Sequence, residues 1–319
     1  MIWMTASLVM LIGHFYNNVF NKSEDFFKSA PRIVQDCFLF GKTLKTATKP
    51  KKIITKTRRT HAFFSIQVPK KWFTHFYIIS TLKNGYLLFI CYQTYFLRQT
   101  APAFLIKILN LLTLNEYSTT PYFVNCDKTT VILVLSCLSF QGLRRLFECI
   151  FVSKFSDSKM HVFHYFAGVF FYSCQGVTLL LGARNLTYVP KTPGSDRFLD
   201  RLNGVQIIGL VMFIFFSGVQ FGCHTTLSDL RKNKKVDKNE HGIAEGGFFE
   251  FVSSPNMMAE CGIYLSIFTI LEFHHFMFLL VVCFVLTNQT LAAILTHQWY
   301  KKTFKNYPKN RRAILPHLL

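Results

Sequence analysis

The sequence predicts an all-α membrane protein, a bundle of seven transmembrane helices. Half of the 319 residues are hydrophobic, 36 of them Phe. The apolar residues gather into runs that approach the roughly 20 residues needed to cross a bilayer. Most of the charge lies between those runs, and it is strongly asymmetric from one side to the other.

The expected spans are 2–20, 74–97, 130–152, 160–182, 204–223, 257–271 and 276–296. The first has no basic segment before it and no small-residue cleavage site, so it reads as a retained anchor rather than a removed signal. With seven spans, segments 21–73, 153–159, 224–256 and 297–319 share one side and hold 26 of the 36 Lys and Arg, while the opposite loops hold seven. The positive-inside rule then puts the C-terminus in the cytosol and the N-terminus across the membrane. Asn185-Leu186-Thr187, a glycosylation sequon, falls in a loop on the far side, as that orientation requires. The formal net charge of +20 invites a nucleic-acid reading, but the basic residues border membrane spans, so orientation and anionic lipid account for them.

Between the first two spans, residues 42–71 hold ten Lys and Arg and no acid, a solvated loop suited to anionic headgroups. The run APAFLIKILNLLTL (101–114) is too short to span and suits an interfacial helix. The second half of the third span is polar: Arg144 and Glu148 are i,i+4, and Arg145 and Glu148 are i,i+3, both pairing distances on a helix. This is either an internal ion pair or a buried anion site whose arginine Glu148 orients.

The loop 224–256 starts basic and turns glycine-rich, with neither a dinucleotide-binding GxGxxG nor a Walker pattern. It ends in Ser253-Ser254-Pro255-Asn256, where Ser254 suits an N-cap and Pro255 the first helical turn. Asn256 and Glu260, four apart, share a face of the helix that follows. A carboxylate near bilayer depth costs roughly 2–3 kcal/mol even on permissive scales, which marks a polar ligand site. His161/His164 and His274/His275 lack a metal-site pattern, and the nine cysteines contain no CxxC, so no metal is expected.

Five ordered blocks carry a resemblance over most of the chain: VPKKWFTHFYIIS (68–80), LRRLFECIFVSKFS (143–156), CHTTLSDLRKNK (223–234), GGFFEFVSSPNMMAE (246–260) and HQWYKKTFKNYPKNRRAILPHLL (297–319). They resemble the steroid 5α-reductase family, and within it the polyprenol (polyprenal) reductase branch. The resemblance implies an endoplasmic-reticulum membrane enzyme that uses NADPH, with a polyprenoid lipid as substrate and a C-terminal tail closing over the cofactor site. Divided accordingly, 1–73 is the first anchor and basic loop, 74–223 holds helices two to five, and 224–319 holds the cofactor loop, the last two helices and the tail. By position, Asn256, Arg231, Tyr300 and Arg311 match cofactor-holding residues of the family, and Arg145 an arginine at the cofactor site. Glu260 matches the glutamate of the family's N-x3-E motif.

There are departures. The tyrosine that holds a steroid ketone is Gly142 here, a glutamate sharing that ketone aligns with Asp36, and an aspartate of the cofactor loop aligns with His224. The steroid clamp is therefore missing, which favours another lipid. Glu260, Glu148 and Asp36 are the catalytic candidates. The chemistry expected is hydride addition to an alkene conjugated with an aldehyde, because an allylic alcohol cannot accept the developing charge. The rivals are a steroid or enoyl-lipid reductase and, from another class, a transporter, against which the absence of two related halves argues.

Overall fold

The computed structural model describes residues 66–113, 126–155, 158–183, 186, 202–232 and 242–316. The expected first span, most of the 42–71 loop, Asp36 and Asn185 lie outside these residues. The order of elements is β1 (Gln67–Pro69), α1 (Phe73–Phe96), α2 (Ala103–Thr113), α3 (Lys128–Phe147), β2 (Lys159–His161), α4 (Val162–Leu180), α5 (Gly204–Lys232), α6 (Pro255–Ile270) and α7 (Phe276–Thr303). Among the described residues, three stretches are long and apolar enough to cross a membrane: Lys128–Val152, Gly204–Lys232 and Phe276–Thr303.

Each helix starts or stops for a local reason. Asp127 caps α3, its carboxylate accepting from Thr130 N at 3.0 Å. His161 Nδ1 accepts from Phe163 N at the start of α4, and His275 Nδ1 from Phe278 N at the start of α7. His275 Nε2 also donates to Leu179 O at 3.1 Å, so that ring ties α7 to the end of α4. Two of the paired histidines are thus caps. Ser254 holds the N-cap position of α6 with Pro255 behind it, but its hydroxyl makes no capping bond. At its far end α3 passes into a π-helical turn, Glu148–Val152, which Ser153 N closes onto Glu148 O. Such turns re-aim side chains and collect at functional sites.

α6 is the central post. Twelve of its 16 residues are buried, and it packs between α5 and α7. Its Ile263, Tyr264 and Ile267 join Val134, Leu135 and Leu138 of α3 and Leu179 of α4 in the main core. Facing outward, α5 exposes Ile208, Val211, Ile214 and Phe215, and α4 exposes Phe166 and Phe170, an apolar exterior suited to lipid. α2 buries Leu105 and Leu109 while Phe104, Ile108, Leu111 and Leu112 stay exposed; its 11 residues are too few to span.

α5 runs nine residues beyond the expected end at 223. Past its apolar part the helix is held by packing: Leu227 and Leu230 close on Cys223, Ala244 and Phe249. Ser228 Oγ also donates to Val152 O at 2.5 Å, and the Arg231 guanidinium to Lys154 O. His224, expected on a loop, therefore sits on a helix.

Two clips organise the cytosol-assigned end. β1 and β2 pair antiparallel, Val68 opposite Met160, and both bury against Phe76. Lys70 N then donates to Ser158 O at 3.0 Å. The tail after α7 doubles back, where Ser253 N donates to Arg312 O and Arg312 N to Phe251 O. Ser253 Oγ meets His297 Nδ1 at 2.6 Å and Tyr307 OH at 2.5 Å.

α1 and α3 cross closely at Gly142. A Cβ there would stand 2.9 Å from Ser80 Oγ and 3.1 Å from Thr81 N, so no larger side chain fits. Gly142→Tyr should lower the melting midpoint of the detergent-purified protein, since overpacking of this kind costs about 1–3 kcal/mol. An unchanged midpoint would show that the crossing can open.

Candidate functional site

The π turn, the extended α5 and the start of α6 enclose a cavity of about 610 Å³, within the usual range for a small-molecule site. Lys70, Lys154 and Arg231 form a cationic group on its wall. Arg145, Glu260, Asn256 and Gln220 form a polar group, and Phe73, Phe171, Tyr172 and Phe284 an aromatic one.

Behind the polar group lies a buried ion cluster. Glu148 is fully buried. Its Oε1 accepts from Arg144 and its Oε2 from Arg145, so one carboxylate makes both pairings expected along the helix. His224 Nδ1 sits 2.6 Å from Glu148 Oε2 and 2.5 Å from Arg145 Nη1. Arg145 Nη2 donates to Tyr77 OH at 2.9 Å, and the guanidinium lies 4.8 Å from the centre of that ring. Glu148 thus acts from the second rank: it does not line the cavity, but it aims Arg145, which does.

Glu260 joins this cluster through amides. Its Oε2 accepts from Gln220 Nε2 and, at 3.4 Å, from Gln141 Nε2. Gln220 Oε1 accepts from Arg144, and Gln220 Nε2 also reaches Asn256 O at 3.4 Å. Gln220 therefore links both carboxylate-bearing helices. It escaped notice in the sequence, yet Ser217, Gln220, His224, Ser228 and Arg231 recur every three or four residues, the stripe of one continuous helix. Asn288 and Gln289 of α7 also reach the cavity wall. Lys70 and Lys154 were not singled out either; burial and then the nearby Arg231 guanidinium push the Lys70 ammonium down to about 8.

Five of the eight described site candidates, Asn256, Glu260, Arg145, His224 and Arg231, line the cavity; Glu148 stands behind it. Tyr300 and Arg311 do not line it. Tyr300 stacks on Tyr307 with ring centres 5.3 Å apart, within electrostatic reach of Arg231 and Arg311. Arg311 is 4% exposed, donates to Ala244 O at 2.8 Å and pairs with Glu250 at 3.6 Å, which pins the tail to the glycine-rich loop.

The residues fit an elongated anionic cofactor with a flat, uncharged end. Lysines and arginines would take phosphates. The start of α6, with its positive dipole end and Asn256, would take polar groups. The buried Ser254 Oγ and Arg145 Nε, both without a hydrogen-bond partner among the described residues, are two further polar atoms at this end of the bundle.

The 3-oxo-5-alpha-steroid 4-dehydrogenase family pattern matches residues 158–319. The polyprenal reductase of Homo sapiens is 39% identical over 292 residues, covering 90% of this chain and 86% of the relative. That of Mus musculus is 35% identical over 299 residues, covering 90% and 86%, and that of Caenorhabditis elegans 36% over 260 residues, covering 80% of each.

Glu148→Gln should be severely destabilising, by about 3–5 kcal/mol, because it strands two buried guanidinium groups. Thermal unfolding in detergent checks this, and Gln220→Leu should fall between that variant and wild type.

Proposed function

Because this chain belongs to the 3-oxo-5-alpha-steroid 4-dehydrogenase family, we propose that its cavity reduces the α-isoprene double bond of a polyprenoid aldehyde, polyprenal to dolichal, in the dolichol synthesis that supports protein N-glycosylation. The observation that carries this reading is the composition of the cavity wall. It combines cations, a carboxylate–amide centre and aromatic rings, in a chain whose relatives of 34–39% identity over 90% of its length are polyprenal reductases. Their name specifies the aldehyde, which agrees with the electronic argument that an alcohol cannot take the charge.

The proposed cofactor is NADPH, whose nicotinamide supplies the hydride. Lys70, Lys154 and Arg231 hold its phosphates, and Asn256 and Glu260 hold its nicotinamide end. Tyr300 and Arg311 act at one remove, by fastening the tail that closes this side. The protein spans the endoplasmic-reticulum membrane seven times, counting 2–20, with its N-terminus lumenal and its C-terminus cytosolic. The lipid enters from the bilayer toward the aromatic wall. Gly142 supports this substrate over a steroid, since its face is filled by α1 and offers no group to a ketone.

Purified protein with NADPH, offered polyprenal, aldehyde-free polyprenol and a 3-oxo-4-ene steroid separately, should reduce the aldehyde much the fastest. Efficient reduction of the alcohol or the steroid would overturn the assignment. Glu260→Gln should lower turnover by about a hundredfold while the protein stays folded. The Lys70 ammonium loses its proton as pH rises through about 8, so dinucleotide affinity should weaken across that range. Lys70→Met should bind more weakly at about pH 7 and lose that dependence up to about pH 9, as read by isothermal titration.

A further inference from the structure

Reduction of a conjugated aldehyde, the reading on which this inference rests, needs a donor at the aldehyde oxygen where negative charge collects. The donors of Arg145 and Gln220, in the polar group of the cavity wall, are already engaged. Arg145 Nη1 serves Glu148 and His224, Arg145 Nη2 serves Tyr77, and Gln220 Nε2 serves Glu260. Lys70 and Arg231 lie near one another, with Arg231 bonded to Lys154 O, in the part that suits phosphates.

Tyr77 is placed differently. Its oxygen accepts from Arg145 Nη2 at 2.9 Å and shares a hydrogen bond with the Tyr172 hydroxyl; with Tyr172 as the donor of that bond, the Tyr77 hydrogen is left to donate. The same guanidinium lies 4.8 Å from the ring centre, so a positive charge polarises the phenol through both its oxygen and its face. Tyr77 is 7% exposed, and what shows lines the cavity. It stands where the polar centre meets the aromatic wall: Tyr172 meets its ring edge-on at 5.3 Å, and Phe76 stacks on Tyr172 at 5.9 Å. A lipid lying along those aromatics would bring its polar head to this hydroxyl.

We propose that the Tyr77 hydroxyl, oriented and polarised by Arg145, is the hydrogen-bond donor to the aldehyde oxygen of the substrate. When a C–H bond forms at the β carbon with the electron pair delivered by a reduced nicotinamide, the C=C pair shifts to the bond between the α and carbonyl carbons. The C=O pair settles on oxygen, where Tyr77 donates to it without losing its proton. A solvent proton then bonds the α carbon and C=O re-forms, so that the enal, the hydride and one proton give the saturated aldehyde. Arg145 is a positioning residue in this step, and through it so is Glu148.

The test uses Tyr77→Phe, which keeps the ring and the cation stacked on it. With cofactor-free protein and a short prenyl enal, infrared difference spectroscopy should show the bound C=O stretch at lower frequency in wild type than in Tyr77→Phe. With NADPH, the variant's kcat should fall about a hundredfold, with dinucleotide affinity unchanged. If the variant does not fold, difluorotyrosine inserted at position 77 keeps the shape and sharpens the donor, and should lower the C=O frequency further. Equal frequencies in wild type and variant, or a kcat within twofold, overturn the assignment of Tyr77 alone. A wild-type protein that reduces no enal overturns the reading of the function as well.

Discussion

The fully buried Glu148 carboxylate is the interaction on which the rest of the site depends. Two adjacent arginines on a membrane-grade helix cannot both remain inside without counter-charge, and one carboxylate serves both, one oxygen each. It can do so because it follows the two arginines by four and three residues on one helix, immediately where the π turn begins. From there the order spreads outward. Arg144 reaches Gln141 and Gln220, Gln220 reaches Glu260, and Arg145 reaches His224 and Tyr77. Four helices, α1, α3, α5 and α6, are thereby registered to one another by charge-assisted bonds, where apolar packing in lipid would leave their relative rotation loosely set.

Much of this was legible in the chain. The pairing of Arg144 and Arg145 with Glu148 follows from spacing along one helix, and the shared face of Asn256 and Glu260 follows from the same rule. The helix starts at 128, 162, 255 and 276 fall within two residues of the span starts expected from the apolar runs. What could not be read is what crosses between helices. Gln220 lies 79 residues from Gln141 and 40 from Glu260, and no local pattern reports such a meeting. By pattern alone Tyr77 is one aromatic among many in an apolar span; its contact with Arg145 sets it apart.

The end of α5 shows why boundaries were misplaced. Hydropathy ends the span near 223, because the next turns carry His224, Asp229, Arg231 and Lys232. The helix continues because its inner stripe finds partners in the π turn and its outer leucines find Phe249. Polar residues in those turns are thus the working face of a helix, where composition had suggested a loop. Gly142 shows a related limit. Its lack of a side chain reads as a lost contact to the substrate, while in the structure it is a contact between helices.

The tail has a consequence for the order in which the molecule is made. Arg312 bonds to Phe251 and Ser253, and Arg311 to Ala244, on the segment that leads into α6. Those partners emerge from the ribosome well before the tail does, separated from it by both α6 and α7. The bonds that hold the segment 244–253 to the tail therefore form only after the last helix has been made. Packing of the helices and fastening of that segment are separate events in the life of the chain.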